Sequence, residues 1–383
     1  MAFASSLSVR AVDPVIPLVA ADLAVSTATA ALLSTAFALP YALTQPVLGP
    51  IADMVGKTRF MTSCLAVLTV ACTVGALAPV FGLVLAARVV SGIVAGGVFP
   101  IAMAIIGDRW AVAERQVAIS RLLAAAMIGN LLGASLSGVV GDALGWRGVF
   151  VGMGVFALLA AGSALVGFRG TGRERPARLD LATIPANYRI VFANPKAKIC
   201  YAAVFIEGVF VFGLFPYVAV LLREAGETRA AIAGLVIAGF GVGGLCYSGA
   251  VSLLVARLGE WRMMVLGGEL VAGALAFVAL DLAWPFQFAA FLVLGFGFFT
   301  LHGCIQLYAT ELAPAARASA MSLHSSSFFF GQAVGPLYYG LAMTQNLATA
   351  SMLLGGLVVA AVGVACARWL PQGEGSPDQP RPR

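Results

Sequence analysis

Residues 8–17 read Ser8-Val9-Arg10-Ala11-Val12-Asp13-Pro14-Val15-Ile16-Pro17, an acid and a base three residues apart in an otherwise apolar stretch. The chemistry open to such a pair is reversible proton binding. Burial disfavours an ionised carboxyl and a nearby guanidinium favours it. Asp13 therefore changes protonation when its solvent access or its distance from a cation changes. Pro14 and Pro17 weaken a helix and free carbonyls toward a cavity. A second base, Arg88, lies in Leu85-Ala86-Ala87-Arg88-Val89-Val90-Ser91-Gly92. An arginine in such surroundings is costly and faces protein interior or water, which fits an electrostatic partner in proton coupling. Two plainer readings stay open: Arg10 and Asp13 neutralise each other on one helix, and Arg88 caps backbone carbonyls.

Few other side chains suggest reactivity. There are two histidines, His302 and His324, and six cysteines, all inside apolar runs and without CxxC spacing. The cysteines read as small packing residues. No spacing of His, Cys or carboxylate suits a metal. There is no nucleophile–base pair, no P-loop, and no GxGxxG after a strand. Neither an enzyme, a cofactor, a metal site nor ATP-driven transport is expected.

The elements that hold Asp13 and Arg88 follow from composition. The 383 residues are 61% hydrophobic and 10% charged, against about 25% charged in a soluble domain. A spanning helix needs roughly 20 mainly apolar residues. Twelve such stretches are expected, at 4–22, 30–52, 59–79, 82–106, 117–141, 148–168, 199–221, 230–255, 262–281, 284–308, 318–342 and 347–368. Asp13 then lies near mid-membrane, and Arg88 within the bilayer. Residues 169–198 form the one long polar segment and read as a cytoplasmic linker. Within it Leu179 to Phe192 has the pattern of an amphipathic surface helix. The tail 371–383 is rich in Pro, Gly and charge and is expected to be disordered.

Arg10 and Arg88 are intramembrane, and Arg147, Arg223 and Arg229 fall on one side. All the rest of the 23 Lys and Arg fall on the other, with both termini. The positive-inside rule places that side in the cytoplasm. The net charge of +6 is thus an orientation signal, and no clustered basic face suggests nucleic acid. Arg10 and Asp13 interrupt the first apolar stretch, so it does not read as a cleavable signal. The missing cytoplasmic tail before it leaves room for a start upstream of Met1.

The chain also repeats. Gly129, Gly133 and Gly138 match Gly331, Gly335 and Gly340 at an offset of 202 residues. Pro14 answers Pro216, Asp22 answers Glu224, Arg115 answers Arg317, and Ala118-Ile119-Ser120 answers Ala320-Met321-Ser322. A constant offset of half the chain is a duplication, and in so apolar a chain it points to a transporter of two parallel halves. The expected fold is all-α and integral to the membrane, with twelve transmembrane helices in two six-helix parallel repeats, 1–168 and 199–370. The glycines themselves suit close helix packing.

The stretch Gly49-Pro50-Ile51-Ala52-Asp53-Met54-Val55-Gly56-Lys57-Thr58-Arg59 resembles the G-x-L-A-D-R-x-G-R-[RK] loop of the major facilitator superfamily, with Met54 in place of the usual Arg. Gly49, Asp53, Gly56, Lys57 and Arg59 carry the match. The eroded second copy, Arg257-Leu258-Gly259-Glu260-Trp261-Arg262, slips by one residue. Arg88 with Gly92 resembles the family's second motif, and D-P-x-x-P at Asp13 resembles the first helix of drug and sugar efflux members. The glycines of 129–138 resemble the antiporter motif, but Ala134 stands where Pro is expected and the Gly-Pro occurs instead at Gly335-Pro336. The resemblance spans the chain. It implies that the helices of Asp13 and Arg88 are neighbours, with Arg88 or Arg10 as the partner of Asp13. It also implies that Gln45, Asn130, Glu207, His302, Gln306 and His324 lie on cavity-lining helices, and the aromatic run Phe328-Phe329-Phe330 makes Phe328 a candidate to line an apolar substrate pocket. The function implied is proton-coupled efflux of small, partly apolar molecules by alternating access, in a monomer of a bacterial-type inner membrane. A proton-coupled importer of a small sugar or organic anion is the alternative.

Overall fold

The structure, a computed structural model, describes residues 1–110, 112–168 and 183–370. Its helices are α1 (Ala2–Arg10), α2 (Ile16–Asp22), α3 (Thr27–Val55), α4 (Lys57–Leu77), α5 (Phe81–Arg109), α6 (Val112–Gly167), α7 (Thr183–Ala193), α8 (Lys196–Phe210), α9 (Val218–Glu224), α10 (Ala230–Val278), α11 (Trp284–Glu311), α12 (Arg317–Thr344) and α13 (Ala348–Trp369). Three 3₁₀ turns, Asp13–Val15, Phe212–Tyr217 and Pro314–Ala316, complete them, and no strand occurs among the described residues. In lipid this is the expected outcome, because a helix satisfies its own backbone groups.

Nine helical stretches among the described residues are long and apolar enough to cross a membrane. Two of them are too long for one crossing. At 1.5 Å per residue the 49 residues of α10 would run to about 70 Å, against a hydrocarbon core of about 30 Å. Each contains one residue of non-helical backbone, Gly145 (φ 72°) in α6 and Gly259 (φ 71°) in α10. Each is therefore two legs joined at a glycine, which takes that conformation without a Cβ penalty. With α12, which is more polar than the rest, the segments among the described residues then number twelve. The helix expected in the linker is present as α7; Leu179 to Ala182 and the tail 371–383 lie outside the described residues.

The 202-residue offset is visible as packing. A methyl group at Gly129 would strike the Phe3 carbonyl, and one at Gly133 the Leu7 carbonyl, both on α1. One repeat later Gly331 meets the Phe205 carbonyl and Gly335 the Val209 carbonyl, both on α8. The partners are themselves 202 residues apart. Further along, Gly138 lies against Ala230 of α10, while Gly340 meets the Tyr217 hydroxyl, with Ala28 of α3 at ordinary contact distance. So α6 packs on α1 of its own repeat and on α10 of the other, and α12 packs on α8 and on α3 in the same way.

Proline breaks the first helix of each repeat at the same depth. Pro14 lies in the turn between α1 and α2, and Pro216 in the turn between α8 and α9. The outside of the bundle is apolar, with Leu77, Leu144 and Leu357 exposed at 78%, 71% and 68%, as a lipid-facing surface requires. Gly331→Leu should lower the melting temperature in detergent, by an overpacking cost of about 1–3 kcal/mol or more. Gly273→Ala, where an added methyl meets nothing, should leave it unchanged or raise it slightly.

Candidate functional site

Asp13 opens the 3₁₀ turn that Pro14 imposes, and it is 1% exposed. Its Oδ2 pairs with Arg10 Nη1 at 3.3 Å, and its Oδ1 accepts the Ser34 hydroxyl of α3 at 2.6 Å. Arg10 reaches further. Its Nη2 donates to the side-chain carbonyl of Gln332 on α12. Its guanidinium lies over the rings of Phe212 and Phe215, 4.6 and 5.0 Å from their centroids. Phe212 and Phe215 are the repeat counterparts of Arg10 and Asp13. The two broken turns thus face each other across the internal symmetry axis, one charged and one aromatic.

Arg88, also 1% exposed, occupies a different place. Its Nε donates to the Leu33 carbonyl at 3.3 Å and its Nη1 to the Ser8 carbonyl at 3.0 Å, with the guanidinium over the Phe37 ring. It ties α5 to α1 and α3 in the manner of the carbonyl-capping reading. Of the two candidate partners, Arg10 is the one in contact with Asp13.

A second buried cluster forms in the other repeat. Glu207 on α8 is wholly buried and its Oε2 lies 2.7 Å from His302 Nδ1 on α11. The His324 ring of α12 is 5.3 Å from that of His302, and the Phe328 ring lies tilted against His302 at 5.0 Å. Four of the expected cavity residues are thereby brought together. Gln45 is buried in α3, whereas Asn130 and Gln306 are exposed and stand apart from burial of this kind.

At the loop between α3 and α4, Gly56 adopts φ 97° and makes the turn. Lys57 Nζ pairs with Asp108 Oδ2 at the end of α5, at 2.6 Å. Arg59 is exposed. Gly49 and Asp53 fall within α3, but their surroundings lie outside what the structure describes. In the second copy the positive φ falls on Gly259, 203 residues after Gly56, which accounts for the slipped register. Glu260 there accepts the Tyr308 hydroxyl of α11.

On the side opposite Met1 and Leu370, the two repeats touch. Both oxygens of Asp142, near the end of the first leg of α6, accept the backbone N–H groups of Ala230 and Ala231 at 2.8 Å each. A carboxylate suits that position, because a helix N-terminus carries unpaired N–H groups and positive potential. Thr35 on α3 donates to the Ala333 carbonyl on α12 at 2.8 Å. Nearer mid-depth the rings of Tyr41 and Phe329 lie 4.0 Å apart. Sequence reading missed Asp142, Ser34 and Gln332. Gln332 had a signal in it: it is the repeat counterpart of Asn130.

The family model for the Major Facilitator Superfamily matches residues 1–336. The chain belongs to that superfamily. It is 24% identical over 359 residues to the uncharacterized MFS-type transporter YtbD of Bacillus subtilis (strain 168), covering 90% of this chain and 87% of that one. It is 23% identical over 349 residues to the multi-drug resistance efflux pump PmrA of Streptococcus pneumoniae serotype 4, covering 88% and 85%. Among solved structures it resembles a bacterial homolog of the human lysosomal transporter Spinster, in an inward-facing and unoccupied conformation, with a TM-score of 0.72 at 17% identity over 96% of this chain and 94% of that one. The protein is a multi-pass membrane transporter and not an enzyme.

Removing one member of a buried ion pair strands the other's charge, at about 3–5 kcal/mol. Arg10→Gln should therefore lower thermal stability in detergent strongly, and Asp13→Asn in the same chain should recover a large part of the loss.

Proposed function

We propose that this transporter exports small, partly apolar molecules in exchange for protons, by alternating access between units 1–168 and 199–370. The single observation that carries this reading is the bridge made by Arg10. One guanidinium holds the titratable Asp13 of the first repeat and Gln332 of the second. Protonating Asp13 removes the negative partner of Arg10, and the bonds it makes across the repeat boundary change with it. Proton binding and the relative position of the two units then become one equilibrium, as coupled transport demands. The efflux assignment is supported by the likeness to PmrA, whose name is that of an efflux pump.

The conformation fits an inward-facing state. The clasp of Asp142 on α10, the Thr35 bond and the close approach of Gly138 to Ala230 all join the repeats away from the chain termini. The excess of Lys and Arg on the terminal side supports a cytoplasmic location for that side, in a bacterial inner membrane. The outer side is then the closed one. In the cycle the cargo leaves outward, an outside proton neutralises Asp13, the chain returns to the closed form, and the proton departs inward. A monomer contains every part of this scheme.

In inverted membrane vesicles with an acidified lumen, an apolar fluorescent dye should accumulate. Asp13→Asn should lose at least tenfold of that pH-driven uptake while still equilibrating dye down its own gradient. Uptake that stays pH-driven in the variant would refute the assignment of Asp13. Gln332→Leu removes an acceptor for a charged donor, worth about 1.5–3 kcal/mol, and should raise the outward-open population about tenfold or more. The readout is the distance between spin labels at Leu144 and Leu347, with the exposed Cys246 replaced; an unchanged distance distribution counts against the bridge.

A further inference from the structure

The cluster around Glu207 is built unlike that around Asp13. Its carboxylate is fully buried, and among the described residues no Lys or Arg pairs with it. The one side chain bonded to it is His302, whose own side chain is 12% exposed. The other carboxylate oxygen, Oε1, has no partner, and neither has Nε2 of His324, a residue 2% exposed. Two thiols also lie close enough to feel the charge of Glu207, Cys200 on its own helix and Cys366 on α13. An ionised carboxylate held this way is costly, since burial of a charge is offset only by a counter-charge or several hydrogen bonds.

The surroundings leave little room for a bulky ligand. Phe298 stacks on His302 at 4.8 Å, Phe328 lies tilted against it at 5.0 Å, and Phe212 closes against both phenyl rings at 5.1 and 5.2 Å. What fits between Glu207 Oε2 and His302 Nδ1, 2.7 Å apart, is a single shared proton. With it, and with His302 Nε2 carrying the imidazole's other proton, the pair is neutral and suits its apolar shell. Without it, the pair carries one negative charge that only solvent or a moved cation can stabilise.

Resting on the transport reading above, we propose that Glu207 and His302 form a second proton-binding site, which takes up one proton and releases it within each transport cycle. The proton enters from solvent on the exposed edge of His302, lodges between the two side chains, and leaves by the same histidine when the opposite side opens. The first repeat has no counterpart: Ser5 stands where Glu207 would be, and Pro100 where His302 would be. Each repeat would then hold one proton site on its first helix, Asp13 balanced by an arginine and Glu207 balanced by a histidine.

The test uses the full chain in two settings. In detergent, the infrared carboxylic-acid band is titrated in Asp13→Asn, with and without Glu207→Gln. A buried-acid component that rises and falls with pH, and is lost in the double variant, is expected. The same component surviving in the double variant, or no titrating component in Asp13→Asn, overturns the proposal. This measurement needs no transport, so a wild-type protein that moved no dye would sink the transport reading alone. In proteoliposomes with the membrane potential clamped at zero, two coupled protons give about 100-fold accumulation per pH unit and one gives about tenfold. Glu207→Gln should fall from the first value to the second, and an unchanged ratio overturns the proposal. If Glu207→Gln is inert in transport, His302→Asn decides: it must displace the midpoint of the Glu207 component, and an unmoved midpoint shows that no proton is shared.

Discussion

Lipid tails are as apolar as leucine, so helices in a bilayer are held together by fit more than by exclusion from water. The fit that organises this chain is the contact of α1 with α6, and its copy between α8 and α12. Gly129 and Gly133 let two backbones meet where any side chain would keep them apart, and Gly331 and Gly335 do the same. Those contacts set the depth and rotation of each broken first helix. Asp13, Arg10 and Glu207 are positioned only because their helices are clamped in this way.

Duplication would be expected to place like against like at the centre of the molecule. Here the copies have diverged so that unlike faces meet. Arg10 rests on the rings of Phe212 and Phe215, the residues that replaced Arg10 and Asp13 in the second copy. Aromatic faces offer a buried guanidinium an electrostatic seat without a competing negative charge. Arg10 is thus free to direct its hydrogen bonds to Asp13 and Gln332. The second copy, which lacks that pair, carries its own carboxylate a little over two turns earlier, at Glu207.

The scaffold was legible because it is local. Apolar runs gave the helices, glycine spacing gave the close contacts, and Gly259 showed the slipped register of the second loop. The pair Arg10–Asp13 could be read from three residues of spacing. Its completion by Ser34 and Gln332 could not, because those residues come from helices 21 and more than 300 positions away. Arg88 illustrates the same limit. Its type and depth fitted two roles, and only the carbonyls of Ser8 and Leu33, brought in by other helices, favoured one. Asp142 looked like a loop residue, since its target is a set of backbone N–H groups that no side-chain pattern records. Asn130 and Gln306 share helices with buried groups but are themselves exposed, a distinction of rotation about the helix that residue type does not record.

The buried charges among the described residues are Arg10, Arg88, Asp13 and Glu207. Two positive and two negative groups make an interior that is neutral when both carboxylates are ionised. Guanidinium groups keep their charge at any physiological pH, so each proton gained leaves the interior net positive by one. Under the proposed coupling the membrane potential would therefore act on the protonated chain and not on the empty one. A charge crossing the whole field is worth about 2.3 kcal/mol per 100 mV; a centre at mid-depth feels part of it. A negative cell interior would draw the protonated form toward its inward-facing state and leave the return leg indifferent to voltage. The balance of four buried charges makes the protein, on this reading, a voltage-assisted machine in one half of its cycle only.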